Sequence, residues 1–379
     1  MFSLPRKSRN HGFQLIFIVV VIAAAFATAS SFVFLVFQAF THDAVIGDLT
    51  LRLSEFRNFA NQVDPIDADP KLGYPIWAYI TTLPLFITTN SKFILTSFVL
   101  LQILCLVSSG AILLKHNPSS LSYPLRILII VGSMPWYALR YQATYMNYGL
   151  IIVIGLLLFI NSRSIILRTA GIVIAMIKPA LCFPVIFLSP WLHGLKIIFF
   201  AFAFIIMESI VAATWLHQNI LTAIARPFTR YIPVNDSDLS EWFLSGDYGI
   251  LSKLVRSNLL SERLAVISLL LLMSFIIAII AKTKFLNSRN AATLVFLLIP
   301  LVSFHRYHDV VLIWPALASI VFDFLSADGW RKWLSTLPLL WALHYQGAGS
   351  GSLYSIAILL IIWVLYSPSF NGQSNPSVY

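Results

Sequence analysis

The feature that most constrains the fold is a series of long apolar runs, the first of which extends from Phe13 to Phe40 without a charged residue. A helix needs about 20 mostly apolar residues to cross a bilayer. Such runs recur along the whole chain, so charged residues make up only 11% of the 379 positions, against about a quarter in soluble domains. The sequence therefore predicts an all-α polytopic membrane protein of the plasma (inner) membrane, with one multi-span transmembrane domain over residues 1–379.

The charge distribution predicts the orientation of the chain. Arg6, Lys7 and Arg9 precede the first run, and loops rich in Lys and Arg stay in the cytoplasm. We therefore expect a cytoplasmic N-terminus, and we attribute the net charge of +10 to cytoplasmic loops, with no nucleic-acid partner. The first run also exceeds the core of a signal peptide, about 7 to 15 residues, which favours a retained signal anchor.

The remaining runs predict about a dozen membrane segments, some of them too short to cross a bilayer alone. Residues 75–89 are expected to form a re-entrant or interfacial piece, and a Lys-Pro pair at 178–179 is expected to break one run into two half-helices. The predicted extracytoplasmic loops are 41–74 and 217–263. The other apolar runs are 93–114, 127–138, 148–160, 169–190, 197–216, 264–281, 291–304, 310–325, 333–346 and 352–366.

Acidic residues cluster in the first loop, where Asp48 follows Gly47 at the membrane edge. A carboxylate in that place can act as a general base on an attacking hydroxyl, and Asp43 lies close enough in sequence to assist it. The alternative is a helix N-cap, a position that Asp favours. An amphipathic helix on the outer leaflet is expected to follow, since apolar residues recur at helical spacing. Its apolar positions are Leu49, Leu53, Phe56 and Phe59, and its polar positions are Arg52, Glu55, Arg57 and Asn58.

Lys178 is the strongest chemical anomaly, because it lies deep in an apolar run. A lysine at the centre of a membrane helix costs about 2.5 to 3.5 kcal/mol on insertion scales, so an intramembrane charge is a functional hypothesis by default. Next to a helix-breaking proline, its ammonium could neutralise a phosphate at the leaflet boundary. The alternative is snorkelling of the ammonium to the interface.

Five polar or aromatic residues, 305–309, separate two late apolar runs. Arg306 and His305 have donors suited to an anionic group, since the arginine fork matches phosphate. His305, His308 and Asp309 also have metal-ligand chemistry, but three ligands at this spacing are weak support, and we expect no metal. The alternative is an ordinary polar turn.

A polar-aromatic segment between the runs 127–138 and 148–160 supplies further candidates on one predicted face: Arg140, Gln142, Tyr145 and Asn147. An aromatic belt at the interface explains the tyrosine equally well.

The second loop contains four acidic residues that could bind an acceptor sugar or could simply be solvated: Asp236, Asp238, Glu241 and Asp247. The motifs of P-loop enzymes, α/β-hydrolases and zincins are absent from the sequence.

Five short motifs follow one another along the chain: Gly-Asp at 47–48, Asp-Pro at 64–65, Tyr-Pro at 74–75, Lys-Pro at 178–179 and Tyr-His-Asp at 307–309. In the order of these motifs, the chain resembles the multispanning glycosyltransferases of the GT-C fold, and most closely family 87, which includes polyprenyl-phosphate-mannose-dependent mannosyltransferases. The chain departs from the family pattern at Ile76, where a second proline is usual. It also has Thr144-Tyr145 where Gly-Gln often precedes the asparagine.

The resemblance implies a GT-C type helix bundle and an inverting transfer of a hexose, mannose at the family level, from a polyprenyl phosphate to a glycan or glycolipid hydroxyl at the outer face. It implies no cofactor and Asp48 as the catalytic base. Donor-phosphate contacts are expected from Lys178, Arg306, His305 and Arg140, and substrate contacts from Asp43, Tyr74, Asn147, Tyr307, His308 and Asp309.

Three other functions fit the same hydropathy. A polysaccharide ligase or polymerase would share the outer-face site and its cations. A transporter of lipid-linked glycans predicts charges buried along a path near the bilayer midplane, whereas most of the candidate charges here cluster at one predicted face. A non-catalytic assembly protein predicts that loss of Asp48 leaves every activity unchanged.

Overall fold

The computed structural model describes residues 11–41, 47–65, 74–86, 90–117, 119–144, 146–229, 288–302, 307–345 and 351–368. In these residues all regular elements are helical. The α-helices are α1 (His11–Thr41), α2 (Gly47–Ala60), α3 (Ile76–Thr82), α4 (Ser91–His116), α5 (Tyr123–Gly132), α6 (Trp136–Thr144), α7 (Gly149–Asn161), α8 (Ile165–Ala175), α9 (Phe183–Leu188), α10 (Leu195–Trp215), α11 (Ile220–Thr229), α12 (Ser288–Val302), α13 (Trp314–Leu325), α14 (Thr336–His344) and α15 (Gly351–Tyr366). Short 3₁₀ helices occupy Leu83–Phe86, Pro179–Cys182, Tyr307–Ile313 and Gly329–Ser335.

Within the described ranges, three helices are long and apolar enough to cross a membrane: His11–Phe37 in α1, Ser91–His116 and Leu195–Trp215. Each lies within a few residues of a predicted run, so these three predictions are confirmed. Large apolar side chains on their outer surfaces, such as Phe26 and Phe199, are exposed, as expected for contact with lipid. The chain is therefore a helical protein of membrane type.

Several other apolar helices are shorter, with 10 to 17 residues, and a helix of that length does not span a bilayer alone. The total of about a dozen membrane segments therefore stays a prediction. The predicted segment 264–281 and the acidic part of the second loop, from Asp236 to Asp247, lie outside the described residues. Only the start of that loop is described, as α11.

The core forms around α7, which packs against α4, α8 and the 3₁₀ helix Tyr307–Ile313. Most of its residues are buried, because hydrophobic side chains cover nearly its whole circumference. On one side α1 packs against α5, α6 and α14, and on the other α10 packs against α3 and α8. Three of the candidates, Asn147, Lys178 and Asp309, meet near the N-terminal end of α7.

The contact of α7 with α8 depends on two glycines. A Cβ atom built on Gly155 would lie 2.6 Å from the carbonyl oxygen of Gly171, and one built on Gly171 would collide with the carbonyl oxygen of Gly155. Small residues allow such close backbone approach between apolar helices. The crossing brings α8, and the segment that follows it, against the buried helix α7.

The predicted break at Lys178-Pro179 is confirmed. Helix α8 ends at Ala175, and a 3₁₀ helix begins at Pro179 and leads into α9. The proline removes a backbone donor and clashes with the preceding turn. Lys178 therefore projects from a gap between helices rather than from a continuous helical surface.

Candidate functional site

The centre of the candidate site is an ion pair between Lys178 and Asp309. The Lys178 Nζ and Asp309 Oδ1 atoms lie 2.5 Å apart, and the two side chains are 19% and 5% exposed. Lys178 comes from the break after α8, and Asp309 from the 3₁₀ helix that follows α12. Removing either partner would leave a charge buried without its counter-ion.

Asn147 completes this centre, since its Nδ2 donates to Asp309 Oδ1 at 3.0 Å. Its own Oδ1 accepts the backbone N–H of Gly149 at 2.6 Å, and its carbonyl oxygen accepts from Gln102 Nε2 at 2.8 Å. Met146, directly before it, has a φ of 41°. The asparagine is therefore fixed in orientation, with its donor end on the carboxylate of Asp309.

Gly149 allows these groups to meet. A Cβ atom at this position would lie 2.7 Å from Val311 Cγ1 and 2.9 Å from both Asn147 Oδ1 and Gln142 Oε1. Any side chain here would force the start of α7 away from the 3₁₀ helix that contains Asp309. Gly149 is not among the predicted site residues, and a single glycine at the start of an apolar run is a weak signal in the sequence.

A second polar group connects the first loop to this centre. Arg52 on α2 pairs with Glu55, and its guanidinium lies 4.2 Å from the ring centroid of Tyr74. Tyr74 packs edge to face on Tyr148 at 5.4 Å, and Tyr148 is the chain neighbour of Asn147. Burial lowers the pKa of Arg52, but Tyr74 and Glu55 outweigh burial, so that the net pKa is raised. Arg52 therefore stays positively charged.

One prediction about α2, the place of Glu55 on its polar face, is wrong. The helix itself is confirmed, and Phe56 and Phe59 are buried as expected. The helical period places Glu55 on the polar face, however, whereas its side chain is 0% exposed. The reason is tertiary: Arg52 supplies the counter-charge, and the carboxylate lies beside Tyr74, Tyr79 and Tyr148 around a closed hollow that also contacts Ile177.

The predicted base, Asp48, lies in the first turn of α2, and the helix period places position 48 on the same face as positions 52 and 55. Its side chain is outside the described part of the structure. Asp43, His305 and Arg306 are outside the described residues, and of Tyr307 and His308 only the backbone, within the 3₁₀ helix, is described. The structure thus brings together Lys178, Asn147 and Asp309. Tyr74 contacts Tyr148, the chain neighbour of Asn147.

Arg140 lies elsewhere. Its guanidinium is 3.9 Å from the ring centroid of Phe34 on α1. Gln142, two positions later, is buried, and its backbone carbonyl oxygen accepts the backbone N–H of Asn147 at 2.9 Å. Positions two apart on an α-helix point in nearly opposite directions. Arg140 and Gln142 therefore occupy different faces of α6, and the prediction that they lie on the same side of the membrane stays a prediction.

Glu208 is a buried acid that the predicted site residues do not include. It lies within the apolar helix α10, is 7% exposed, and accepts from Thr81 Oγ1 at 3.2 Å on both carboxylate oxygens. An acidic residue inside an otherwise apolar run is itself a functional signal, and the sequence shows it. Within the described ranges, no three His, Cys, Asp or Glu residues form a group that could hold a metal ion.

Comparison with known proteins identifies no relative: no protein-family model, no curated protein and no solved structure matches the chain. The resemblance to GT-C glycosyltransferases therefore stays a prediction.

Proposed function

We propose that the protein transfers a hexose from a polyprenyl phosphate to a hydroxyl group of a glycan or glycolipid at the outer face of the membrane, with inversion at the anomeric carbon. The observation that carries this proposal is the meeting of Lys178, Asn147 and Asp309. These residues come from three distant segments, and the family resemblance implies donor or substrate contact for each of them. A cation held at a helix break inside a membrane-type fold suits an anionic lipid headgroup.

In the proposed reaction, Asp48 accepts the proton of the acceptor hydroxyl. The oxygen attacks the anomeric carbon from the face opposite the lipid phosphate, and the bond between that carbon and the phosphate oxygen breaks. The electron pair leaves with the polyprenyl phosphate. Lys178, with Arg306 and His305 as further donors, stabilises the negative charge that develops on the departing phosphate.

Asp309 and Asn147 act on Lys178 rather than on the sugar. The carboxylate of Asp309 pairs with the ammonium and fixes its direction, while Asn147 fixes the carboxylate. Preorganised charges stabilise a transition state without reorganisation during the reaction. A lysine has three N–H donors, so the contact with Asp309 leaves Lys178 with further donors by which to approach a phosphate.

The position of α2 supports the role of Asp48. Arg52 and Glu55 anchor this helix through Tyr74 to Tyr148, the residue that precedes α7. Position 48 lies one helical turn before Arg52 on the same face. These contacts connect the first loop to Tyr148, the chain neighbour of Asn147, and so support a base and a leaving-group site within one active site.

The test is sugar transfer by the purified, reconstituted protein from polyprenyl-phosphate mannose, glucose and arabinofuranose, with a mixed acceptor pool. We expect one donor to be consumed by the wild type and spared by Asp48→Asn. Asp69→Asn is the matched control, because it removes one charge from the same loop and should retain transfer.

If Asp48→Asn transfers sugar at the wild-type rate, Asp48 is not the base. If the wild type consumes no donor with any acceptor, the proposal of transfer is overturned.

A transporter of lipid-linked glycans is the second candidate, and Glu208 is the observation that favours it. Together with the Lys178–Asp309 pair, it places ionisable groups inside apolar segments, as in transport paths. Transport predicts movement of an intact polyprenyl-phosphate sugar across a sealed vesicle without a new glycosidic bond. A polysaccharide ligase or polymerase would instead consume a preassembled lipid-linked glycan, which the same assay distinguishes when that donor is supplied.

A further inference from the structure

An open hollow of about 270 Å³ lies between α1 and α6. Its walls are mostly apolar, with Ala27 and Phe34 from α1 and Trp136 from α6, and its polar groups are Ser30, Ser31 and Arg140. It therefore combines one positive charge and two hydroxyls with an apolar surface. That composition suits an amphiphile with an anionic head.

In the part of the chain that the structure describes, no carboxylate forms an ion pair with Arg140. Its guanidinium lies over the ring of Phe34, and its Nε atom is buried and has no hydrogen-bond acceptor. Among the described residues, the carboxylates that form ion pairs are those of Glu55 and Asp309, with other partners. Arg140 lines the hollow, so an anion bound there would form charge-assisted hydrogen bonds with the accessible part of its guanidinium.

The hollow lies near the edge of the hydrocarbon core. The candidate span in α1 covers His11–Phe37, and Ser30 and Phe34 lie about 9 to 15 Å beyond its middle at a rise of 1.5 Å per residue. Half of the hydrocarbon core measures about 15 Å. For a helix near the membrane normal, Arg140 therefore lies close to the boundary between acyl chains and headgroups, at the end of α1 that leads towards Asp48.

The hollow and the Lys178 centre lie on different sides of α6. The Gln142 Oε1 atom lies beside Gly149 at the start of α7, whereas the Arg140 guanidinium lies on Phe34 of α1. Since a helix with its side chains is about 10 Å across, a phosphate bound to Lys178 does not reach Arg140 as well. This separation argues for a lipid other than the proposed sugar donor.

We infer that the hollow between α1 and α6 binds the phosphate headgroup of an anionic glycerophospholipid from the surrounding bilayer. Arg140 donates to a phosphate oxygen, Ser30 and Ser31 add hydroxyl donors, and Phe34 and Trp136 contact the glycerol and upper acyl groups. This site does not depend on the proposed glycosyl transfer. Its occupant would fix the packing of α1 on α6, the helix whose other face contacts the Lys178 centre.

The experiment titrates the purified full-length protein in detergent with phosphatidylglycerol and counts bound lipids by native mass spectrometry. We expect Arg140→Gln to weaken phosphatidylglycerol binding about fivefold, the effect of one cation near a membrane surface. Arg163→Gln is the matched control, because Arg163 is an exposed arginine outside the hollow and should bind like the wild type. Ser30→Leu, which fills the hollow and keeps the charge, should weaken binding even if Arg140→Gln does not fold.

Three competitors identify the occupant. Phosphatidylcholine should compete poorly because its headgroup has no net charge, and inorganic phosphate should compete poorly because it has no acyl chains. If inorganic phosphate displaces the lipid equally well, the site binds free phosphate and the proposal fails. If polyprenyl phosphate binds more tightly than phosphatidylglycerol and loses its affinity in Arg140→Gln, the hollow belongs to the donor site instead. Wild-type lipid binding by both Arg140→Gln and Ser30→Leu would also overturn the proposal.

Discussion

Lys178 and Asp309 are separated by 131 positions in the chain, yet their charged atoms lie 2.5 Å apart in a largely buried contact. The pair joins the break after α8 to the 3₁₀ helix after α12. Such a pair in a low-dielectric surrounding contributes little net stability, but breaking it is costly. Its presence in an apolar fold is therefore better explained by function than by stability, and the two roles are separable by mutation.

The first prediction compares single and double replacements of this pair. Lys178→Met and Asp309→Leu should each reduce the free energy of unfolding by about 3 to 5 kcal/mol, because each leaves the other charge buried and unpaired. The double variant should recover most of that loss, since two apolar side chains need no counter-ion. Denaturant unfolding of the detergent-solubilised protein measures these differences.

The same variants also separate stability from activity. All three should lose sugar transfer, because the cation for the leaving phosphate or the group that orients it is gone. A double variant that is folded, stable and active would show that the pair has only a structural role. A double variant as unstable as the singles would show that the pair is net stabilising.

The second prediction concerns Asn147, whose oxygen caps Gly149 and whose amide donates to Asp309. Asn147→Ala should cost about 1 to 3 kcal/mol, because buried partners lose their hydrogen bonds. Asn147→Asp keeps the acceptor for Gly149 but puts a second carboxylate against Asp309, so its cost at neutral pH should be larger. That excess should shrink as the pH falls, since a proton shared between two carboxyl groups relieves their repulsion.

Unfolding of Asn147→Asp, Asn147→Ala and wild type at several pH values tests this explanation. Asn147→Ala serves as the control, because it introduces no titratable group and its cost relative to the wild type should stay nearly constant with pH. An Asn147→Asp cost that does not depend on pH would contradict the contact with Asp309.

Hydropathy alone is sufficient to predict the long helices, because α1, α4 and α10 are uniformly apolar and uncharged for most of their length. The break at Lys178 is also predictable, since proline acts locally. Lys178, Asn147 and Asp309 each stand out as unusual polar residues, but their meeting is not predictable, because it depends on the packing of α7 against two distant segments. The burial of Glu55 likewise depends on Arg52 and Tyr74, which no helical period reveals.

The third prediction tests the crossing of α7 and α8. Gly171→Ala should destabilise the protein by about 1 to 3 kcal/mol, since the added methyl group overlaps the carbonyl of Gly155 and forces the helices apart. Gly110→Ala in α4 is the matched control, because no atom lies within 4 Å of its added Cβ. It should be neutral or slightly stabilising, as alanine favours helix. Equal unfolding midpoints for the two variants would contradict the close crossing.

The fourth prediction concerns the contact between Thr81 and Glu208. Thr81 has a single hydroxyl proton, and its Oγ1 lies 3.2 Å from the Trp77 carbonyl and 3.2 Å from both oxygens of Glu208. Thr81→Val removes the donor and leaves the buried carboxyl without it, which should cost about 1 to 3 kcal/mol. Thr81→Ser retains the hydroxyl and should cost much less.

The double variant Thr81→Val with Glu208→Leu should recover most of the loss, because apolar groups of similar shape replace both partners. Unfolding of the four proteins in one detergent measures the differences. If Thr81→Val alone unfolds like the wild type, Glu208 does not depend on Thr81, and the contact between α3 and α10 is held by apolar packing.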